Sequence, residues 1–290
     1  MKKGTSFSTQ GQRADIGDLT IHRILPNRYA DAVGPFVFLD HIVPKLQPAV
    51  MDSGTGAHPH RGIATLSYII DGEDEHFDSA GNYAKVHSGG VQWMKAGNGI
   101  MHDETLNVDS HTDTNSTHAF QFWINLPSKV KAEQPAYLAI HANEVPQKGL
   151  PHNGGWIKVI VGDYEDLHAS IPNYSKQFLY HVRLEPGKDF TLYVENKMEV
   201  AAFLPTKNVV LNDTEFKGGE FVEFDRDEGE ITIENKIQGP IDVLLFGGEP
   251  YTEPIVAEGP FVMNSRSEIA EAYRDFYAGK YGKINYQKRA

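Results

Sequence analysis

Residues 64–94 read ATLSYIIDGEDEHFDSAGNYAKVHSGGVQWM, and this stretch indicates the fold class. Four short extended segments are separated by turn residues: 64–70, 75–78, 83–87 and 91–94. The first of them alternates between apolar and polar residues, as a β-strand with one buried face does. Asp71-Gly72 follows it, and Asp-Gly is a typical hairpin turn, so we predict that 75–78 is the return strand. Strands at this spacing predict an all-β sandwich or barrel.

The same pattern resumes in the second half of the chain. Between the halves, residues 129–155 carry three prolines and polar spacers. We therefore predict two domains, residues 1–134 and 135–290. Gly89-Gly90 and Gly218-Gly219 each precede a short apolar segment, which favours two copies of one barrel, although turn dipeptides also recur by chance. Seven strands are predicted in the second domain: 156–161, 178–184, 190–194, 200–204, 221–224, 230–234 and 241–246.

One α-helix is predicted, near the C-terminus. Ser265 and Glu268 have the spacing of a capping box, in which the two side chains satisfy backbone N–H groups at the start of a helix. Apolar residues then follow at helical spacing, and Gly279 is a typical stop. We expect a short helix over 265–278 that packs through Ile269, Ala272, Tyr273 and Phe276.

Composition excludes several classes of protein. The 290 residues include 27 Lys and Arg against 39 Asp and Glu, which gives a net charge of −12. Such a chain repels phosphate backbones, so we expect no direct nucleic-acid binding. There is no cysteine, which excludes disulfides and thiolate ligands. No segment approaches the roughly 20 apolar residues of a membrane span, and the N-terminus lacks a signal-peptide core, so we expect a soluble cytoplasmic protein.

Two short motifs are candidates for metal ligation. His58-Pro59-His60 and His102-Asp103-Glu104 each place two ligating side chains two residues apart, on one face of an extended segment. Three imidazoles and one carboxylate suit a first-row ion such as iron, nickel, copper, cobalt, manganese or zinc. Chance alone gives roughly 0.6 His-x-His pairs in a chain with this many histidines, so the first motif is weak by itself.

The flanking sequence strengthens the prediction. Glycines surround both motifs and allow a close approach of the backbone to a buried site. The remaining histidines lack comparable pairing, and we expect them to be surface or core residues, for example His22, His87, His141, His152, His168 and His181.

Several segments together form a recognisable pattern: His58-Pro59-His60-Arg61-Gly62, residues 75–79, 90–97 and 99–102, Gly34-Pro35-Phe36, Leu39-Asp40-His41, residues 121–127 and residues 259–264. The pattern extends from about residue 12 to 278. In these segments the chain resembles the pirin family of the cupin superfamily.

The resemblance implies a bicupin, that is, two cupin-type β-barrels with a short C-terminal helix. It implies a metal in the N-terminal barrel alone, usually Fe(II), held by the residues that match His58, His60, His102 and Glu104. The second barrel contains no His-x-His motif, in agreement. Many pirins carry Glu where this chain has Ala64, so we expect an intact metal site with an altered pocket and substrate range.

Two functions follow from the resemblance. The first is an iron-dependent quercetin 2,3-dioxygenase, which opens a flavonol ring with O2 and in which Glu104 also acts as the catalytic base. Phe36, Phe38 and His41 would line its pocket, although the two phenylalanines are more simply core residues. The second is a redox-responsive regulatory protein that binds transcription factors or metabolic enzymes. A metal-storing or vestigial bicupin is a third hypothesis. We expect a monomer in each case.

Overall fold

The computed structural model describes residues 1–16, 19–47 and 54–289. Strands dominate this part of the chain. They are β1 Thr5–Gln10, β2 Gln12–Arg13, β3 Ile21–Leu25, β4 Phe36–Leu46, β5 His58–His60, β6 Ile63–Asp71, β7 Glu73–Asp78, β8 Tyr83–His87, β9 Val91–Lys95, β10 Ile100–Asn107, β11 Ser116–Asn125, β12 Ala136–Ile140, β13 Gln147–Gly149, β14 Gly155–Val161, β15 Asp163–Tyr164, β16 Leu167–His168, β17 Gln177–Leu184, β18 Asp189–Val194, β19 Glu199–Phe203, β20 Val209–Leu211, β21 Thr214–Phe216, β22 Glu220–Phe224, β23 Gly229–Glu234, β24 Ile241–Gly248, β25 Val256–Glu258 and β26 Phe261–Met263.

Helices are few. The described residues form α1 Ser128–Lys131, α2 Arg266–Tyr277 and two 3₁₀ turns, Pro151–Asn153 and Tyr286–Arg289. The all-β prediction and the short C-terminal helix are therefore confirmed. Of the helices in the described ranges, none has the length and apolar character that a membrane crossing requires.

The chain divides into two compact units that are not contiguous in sequence. The first unit comprises Ala14–His22, Phe38–Glu144 and Thr252–Ala290. The second unit comprises Met1–Arg13, Arg23–Val37 and Val145–Tyr251. The C-terminal segment with α2 thus groups with the first unit, whereas the predicted boundary places it in the second domain. The boundary between residues 134 and 135 stays a prediction.

In the first unit, two antiparallel sheets face one another. One has the strand order β12-β9-β6-β11-β4, and the other has the order β5-β10-β7-β8. Side chains of β6 and β11 reach β10, since Ser67 and Gln121 both hydrogen-bond to Glu104. The interior between the sheets is therefore polar around Glu104, and that is where the candidate site lies.

The prediction that the strands on either side of Asp71-Gly72 pair as a hairpin is wrong. A strand does follow the turn, but β7 pairs with β8 and β10, whereas β6 pairs with β9 and β11 in the other sheet. Gly72 has φ +128°, and a Cβ there would lie 2.7 Å from the carbonyl oxygen of Asn107. The chain therefore turns against the end of β10 and crosses to the second sheet instead of folding back.

The second unit has the same two-sheet plan with an apolar interior. The sheet β1-β22-β19-β24-β17-β14-β13 and the sheet β18-β23-β20-β21 contribute to one hydrophobic core. Each of the seven strands predicted for this half is present, with ends that agree to within a residue or two. Alternation of buried and exposed positions, as in β23, explains why these strands were predictable from sequence.

Helix α2 begins as the capping box predicts. Ser265 Oγ accepts a hydrogen bond from the backbone N–H of Glu268 at 3.3 Å, and Glu268 Oε2 accepts one from Asn264 N–H at 2.9 Å. The helix buries Ile269 and Ala272 in a small core with residues of β26 and Tyr281. Tyr273 and Phe276 are partly buried against the same core, so the predicted apolar face is confirmed.

One buried carboxyl group in the second unit predicts a pH effect on stability. Burial, and then the nearby charge of Glu199, raise the pKa of Glu223 to about 7. Glu223 Oε2 is buried and has no hydrogen-bond partner. Because the folded state favours the protonated form, wild-type stability falls as the pH rises from about 4.5 through about 7.

We therefore expect Glu223→Gln to be more stable than wild type at pH 8, by about 1 kcal/mol after allowing for partial exposure. This corresponds to a rise in Tm of about 2–4 °C. The difference should vanish near pH 4.5, where the wild-type carboxyl group is neutral. Thermal melts across this range test the prediction, with Glu230→Gln, an exposed change on β23, as the control. An advantage independent of pH would contradict it.

Candidate metal centre

Three histidines meet where β5 pairs with β10. In the antiparallel register, His102 lies opposite His58, and Ile100 lies opposite His60. His58 Nε2 and His102 Nε2 are 2.9 Å apart. The ring centroid of His60 lies 5.0 Å from the ring centroid of His58 and 4.9 Å from that of His102. The structure thus brings together three of the four residues that the sequence singled out, with ligand atoms close enough to share one ion.

Backbone carbonyls orient two of these rings. His58 Nδ1 donates to Gly56 O at 2.8 Å, and His60 Nδ1 donates to Pro260 O at 3.0 Å. A carbonyl can only accept, so Nδ1 carries the proton and the Nε2 lone pair is available for a ligand. Burial, and then the neighbouring His58, lower the pKa of His60 to about 3, which keeps this ring neutral.

His102 supplies a test of whether the group suits a cation. Its side chain is fully buried, and burial together with the adjacent histidines holds its pKa well below the usual value. Its Nδ1 has no hydrogen-bond partner. Tetrahedral ligands about 2.0–2.1 Å from an ion lie roughly 3.3 Å apart, close to the 2.9 Å between His58 Nε2 and His102 Nε2. The group formed by His58, His60 and His102 could therefore bind a metal ion.

Glu104 lies beside His102 and is held by two donors from the facing sheet. Ser67 Oγ donates to Glu104 Oε1 at 3.2 Å, and Gln121 Nε2 donates to Glu104 Oε2 at 2.9 Å. The distance from His102 Nδ1 to Glu104 Oε2 is 4.0 Å. Sequence analysis missed both donors, because their role depends on the opposite sheet. The alternation of inward-pointing and outward-pointing residues along β6 and β11 was the sequence signal that could have indicated these donors.

A fourth histidine, His76, was also missed. It lies opposite Glu104 in the β7–β10 register, and its Nδ1 is 3.8 Å from Glu104 Oε1. Burial lowers the pKa of His76, but the carboxylates of Asp78 and Glu104 outweigh burial and raise it to about 9. His76, His102 and Glu104 form a second possible ligand group that shares two members with the predicted site. His76 lies within residues 75–79, one of the segments that resemble the pirin family, so that segment was the sequence signal for it.

Aromatic rings form one wall beside His60. The Trp123 ring lies 5.0 Å from the His60 ring, edge to face, and stacks on Phe38 at 4.1 Å. Trp123 Nε1 is buried without a hydrogen-bond partner. Phe36 is a core residue that packs on Phe246. His41 pairs with His118 at 2.9 Å between the Nε2 atoms.

Ala64 does not reach this interior. Ser67 on β6 points toward Glu104, and the β6 register is continuous from Ala64 to Tyr68. Residues of odd separation on a strand point to opposite faces, so Ala64 lies on the other face of the sheet. The departure at this position therefore leaves the arrangement around Glu104 unchanged.

The histidines of the second half are apart from one another. His141, His152 and His168 are exposed, whereas His181 is buried and pairs with Asp242 at 3.0 Å. Within the described ranges, none of them belongs to a group of three possible ligands. That the second barrel is metal-free stays a prediction.

Two facing β-sheets around a histidine–carboxylate group, together with a second unit of two facing sheets, define the class as a cupin-like protein. Residues 18–124 match the Pirin family, and residues 179–282 match the Pirin C-terminal cupin domain. The chain is 34% identical to a pirin-like protein of Caulobacter vibrioides, over 93% of this chain and 92% of that protein. The chain therefore belongs to the pirin family.

Solved structures agree with this assignment. A crystal structure of quercetin 2,3-dioxygenase from Acinetobacter baumannii superposes with a TM-score of 0.89 at 31% identity, covering 98% of this chain and all of that chain. The bacterial pirin YhhW of Escherichia coli, solved in complex with nickel(II), superposes with a TM-score of 0.64 at 22% identity, covering 84% and 99%. The latter likeness shows the fold alone.

Proposed function

We propose that this chain is a metal-dependent dioxygenase that opens the central ring of a flavonol such as quercetin with O2. The observation that carries the proposal is the convergence of His58, His60 and His102 beside a carboxylate that two hydrogen-bond donors hold in place. The likeness to the Acinetobacter baumannii quercetin 2,3-dioxygenase supports the same reaction.

The proposed ligands are His58, His60, His102 and Glu104. We propose iron(II), which the pirin resemblance implies, with nickel(II) as an alternative first-row ion. The donor set of imidazoles and one carboxylate suits either ion. The bound ion would supply Lewis acidity, which favours the deprotonated form of a flavonol hydroxyl group.

The residues of the chain have separate tasks in this proposal. Glu104 accepts the hydroxyl proton of the substrate, while Ser67 and Gln121 keep its carboxylate oriented. His58 is half-buried, whereas His60 and His102 are buried, so a substrate approaches from the side of His58. The Trp123 and Phe38 rings offer an apolar surface against which a flat aromatic substrate can pack.

Removing one imidazole tests the ligand set. We expect His58→Ala to lose the ion and any flavonol turnover together, because it removes one of the two imidazoles whose Nε2 atoms lie 2.9 Å apart, and losing a ligand weakens a metal site by more than the roughly 10–100-fold that losing a supporting residue does. Metal analysis of the purified protein and loss of quercetin absorbance in air are the measurements. His141→Ala, an exposed histidine, is the control and should match wild type. Full metal content in His58→Ala would rule out this ligand set.

Glu104→Gln separates metal binding from proton transfer. The amide keeps the size of the side chain and one acceptor oxygen but removes the charge. We expect weaker yet measurable metal binding and a fall in flavonol turnover of about 10²-fold or more, the usual effect of losing a positioned base. The matched control is Glu75→Gln, a buried glutamate on β7 that accepts from Tyr83 at 3.1 Å.

Wild-type turnover in metal-replete Glu104→Gln would exclude Glu104 as the base. If the metal-loaded wild type turns over no flavonol with iron or nickel, the dioxygenase proposal fails and the regulatory alternative gains.

Gln121→Leu tests the support of the carboxylate. Loss of the 2.9 Å hydrogen bond frees Glu104 Oε2, and removing such a supporting partner typically weakens a metal site by about 10–100-fold. Chelator competition measures the affinity. Gln121→Glu is a second variant that keeps the size of the side chain but places a carboxylate beside Glu104. It should weaken metal binding, because the hydrogen bond that Gln121 Nε2 donates to Glu104 is lost. Unchanged affinity in both variants would show that Gln121 does not position the ligand.

A further inference from the structure

A second histidine–carboxylate cluster lies at the far end of the same sheet. His87 is the last residue of β8 and lies directly opposite Glu73, the first residue of β7. Asp109 and His111 follow the end of β10, whose Asn107 also pairs with Glu73. The ligand atoms of His87, Asp109 and His111 all lie within 4.8 Å of one another.

The distances within this cluster match those between ligands of one ion. His87 Nδ1 is 2.9 Å from Asp109 Oδ1 and 3.6 Å from Glu73 Oε2. Ligands about 2.0–2.2 Å from an ion in tetrahedral geometry lie roughly 3.3–3.6 Å apart, so these groups need only small shifts. The ring of His111 lies against the ring of His87, with 3.9 Å between the centroids.

Hydrogen bonds hold the carboxylate of Asp109 in place before any ion arrives. Its Oδ2 accepts from Ser88 N–H at 3.0 Å, and its Oδ1 accepts from His111 N–H at 2.9 Å. Asp109 is only 3% exposed, and these two donors fix the direction in which its carboxylate oxygens point.

The cluster is open to solvent on one side. His111 is exposed and the His87 side chain is 25% exposed, so an ion can enter and keep water ligands. Lys85 pairs with Glu73 Oε1 at 2.6 Å, which leaves Glu73 Oε2 on the side of His87. Glu73 is therefore a supporting carboxylate, while the two imidazoles and Asp109 are the main ligands.

We propose that His87, Asp109 and His111, with Glu73 beside them, form a second divalent-cation site that takes a borderline first-row ion such as zinc. Two imidazoles and a carboxylate are a known ligand set for zinc, and they disfavour calcium and magnesium, which prefer oxygen ligands. A bound ion ties residues 109–111 to the β7–β8 hairpin. This site uses none of the four residues proposed as ligands of the first centre.

Zinc stoichiometry tests the second site without reference to catalysis. The metal-free protein and its variants are dialysed against the same micromolar zinc, and zinc per chain is measured. We expect two ions in wild type, one in His111→Ala, one in His58→Ala and none in the double variant. The control His168→Ala should keep two, since His168 is exposed and pairs with Asp163 at 2.7 Å but belongs to none of the three-residue ligand groups in the described part of the chain.

The affinity and the choice of ion give further readouts. Loss of a ligand should weaken the second site at least as much as loss of a supporting residue does, by about 100-fold. Calcium should neither bind the cluster nor displace zinc from it. His111 is exposed, so His111→Ala should fold, and its thermal melt without zinc should equal that of wild type.

The outcomes separate this inference from the proposed function. Equal zinc content in wild type and His111→Ala overturns the second site, whether that content is one ion or two. A single ion in wild type that His111→Ala loses and His58→Ala keeps supports the second site and contradicts the first centre. Zinc lost equally from His168→Ala would show unspecific binding to surface histidines and also overturns it.

Discussion

The register of β10 with its two neighbours is the constraint on which the site depends. Its first residues pair with β5, and from His102 onward it pairs with β7. Alternate side chains of three strands therefore point into the same interior, and His102 is shared by two of the three possible ligand groups. A slip of one residue would turn every one of these side chains to the other face, so the hydrogen bonds of the sheet and the chemistry of the site are linked.

That interior holds an unusual concentration of polar groups. His60, His76, His102 and Glu104 are all buried, and burial disfavours charge unless a partner is present. The buried histidines avoid an unpaired charge in two ways. His60 and His102 are kept neutral, whereas His76 is held between carboxylates. Neutral imidazoles next to an oriented carboxylate are what a divalent ion requires, since a ligand must offer a lone pair and not a proton.

The second unit uses the same two-sheet plan for a different purpose. The positions between its sheets are apolar, and its buried histidine, His181, pairs with Asp242 instead of with other histidines. An apolar interior stabilises a barrel through burial alone, whereas a polar one needs each group to find a partner. Among the described residues, the groups of possible ligands therefore lie in the first unit, whereas the second unit has a continuous hydrophobic core.

The amino-acid sequence by itself determined the strands, the capped helix and the pairs His58/His60 and His102/Glu104, because these features depend on residues a few positions apart. Alternation, turn dipeptides and i, i+2 spacing are local signals. Only the tertiary structure decided which strands pair, so the Asp71-Gly72 turn was misread as a hairpin.

The same limit applies to the partners of the site. Ser67, Gln121 and His76 reach Glu104 from three different strands, and His87 meets His111 only because β8 and β10 end where β7 begins. No spacing along the chain encodes such a meeting. It follows from the register of hydrogen-bonded strands and from the burial of one sheet against another, which are properties of the folded chain as a whole.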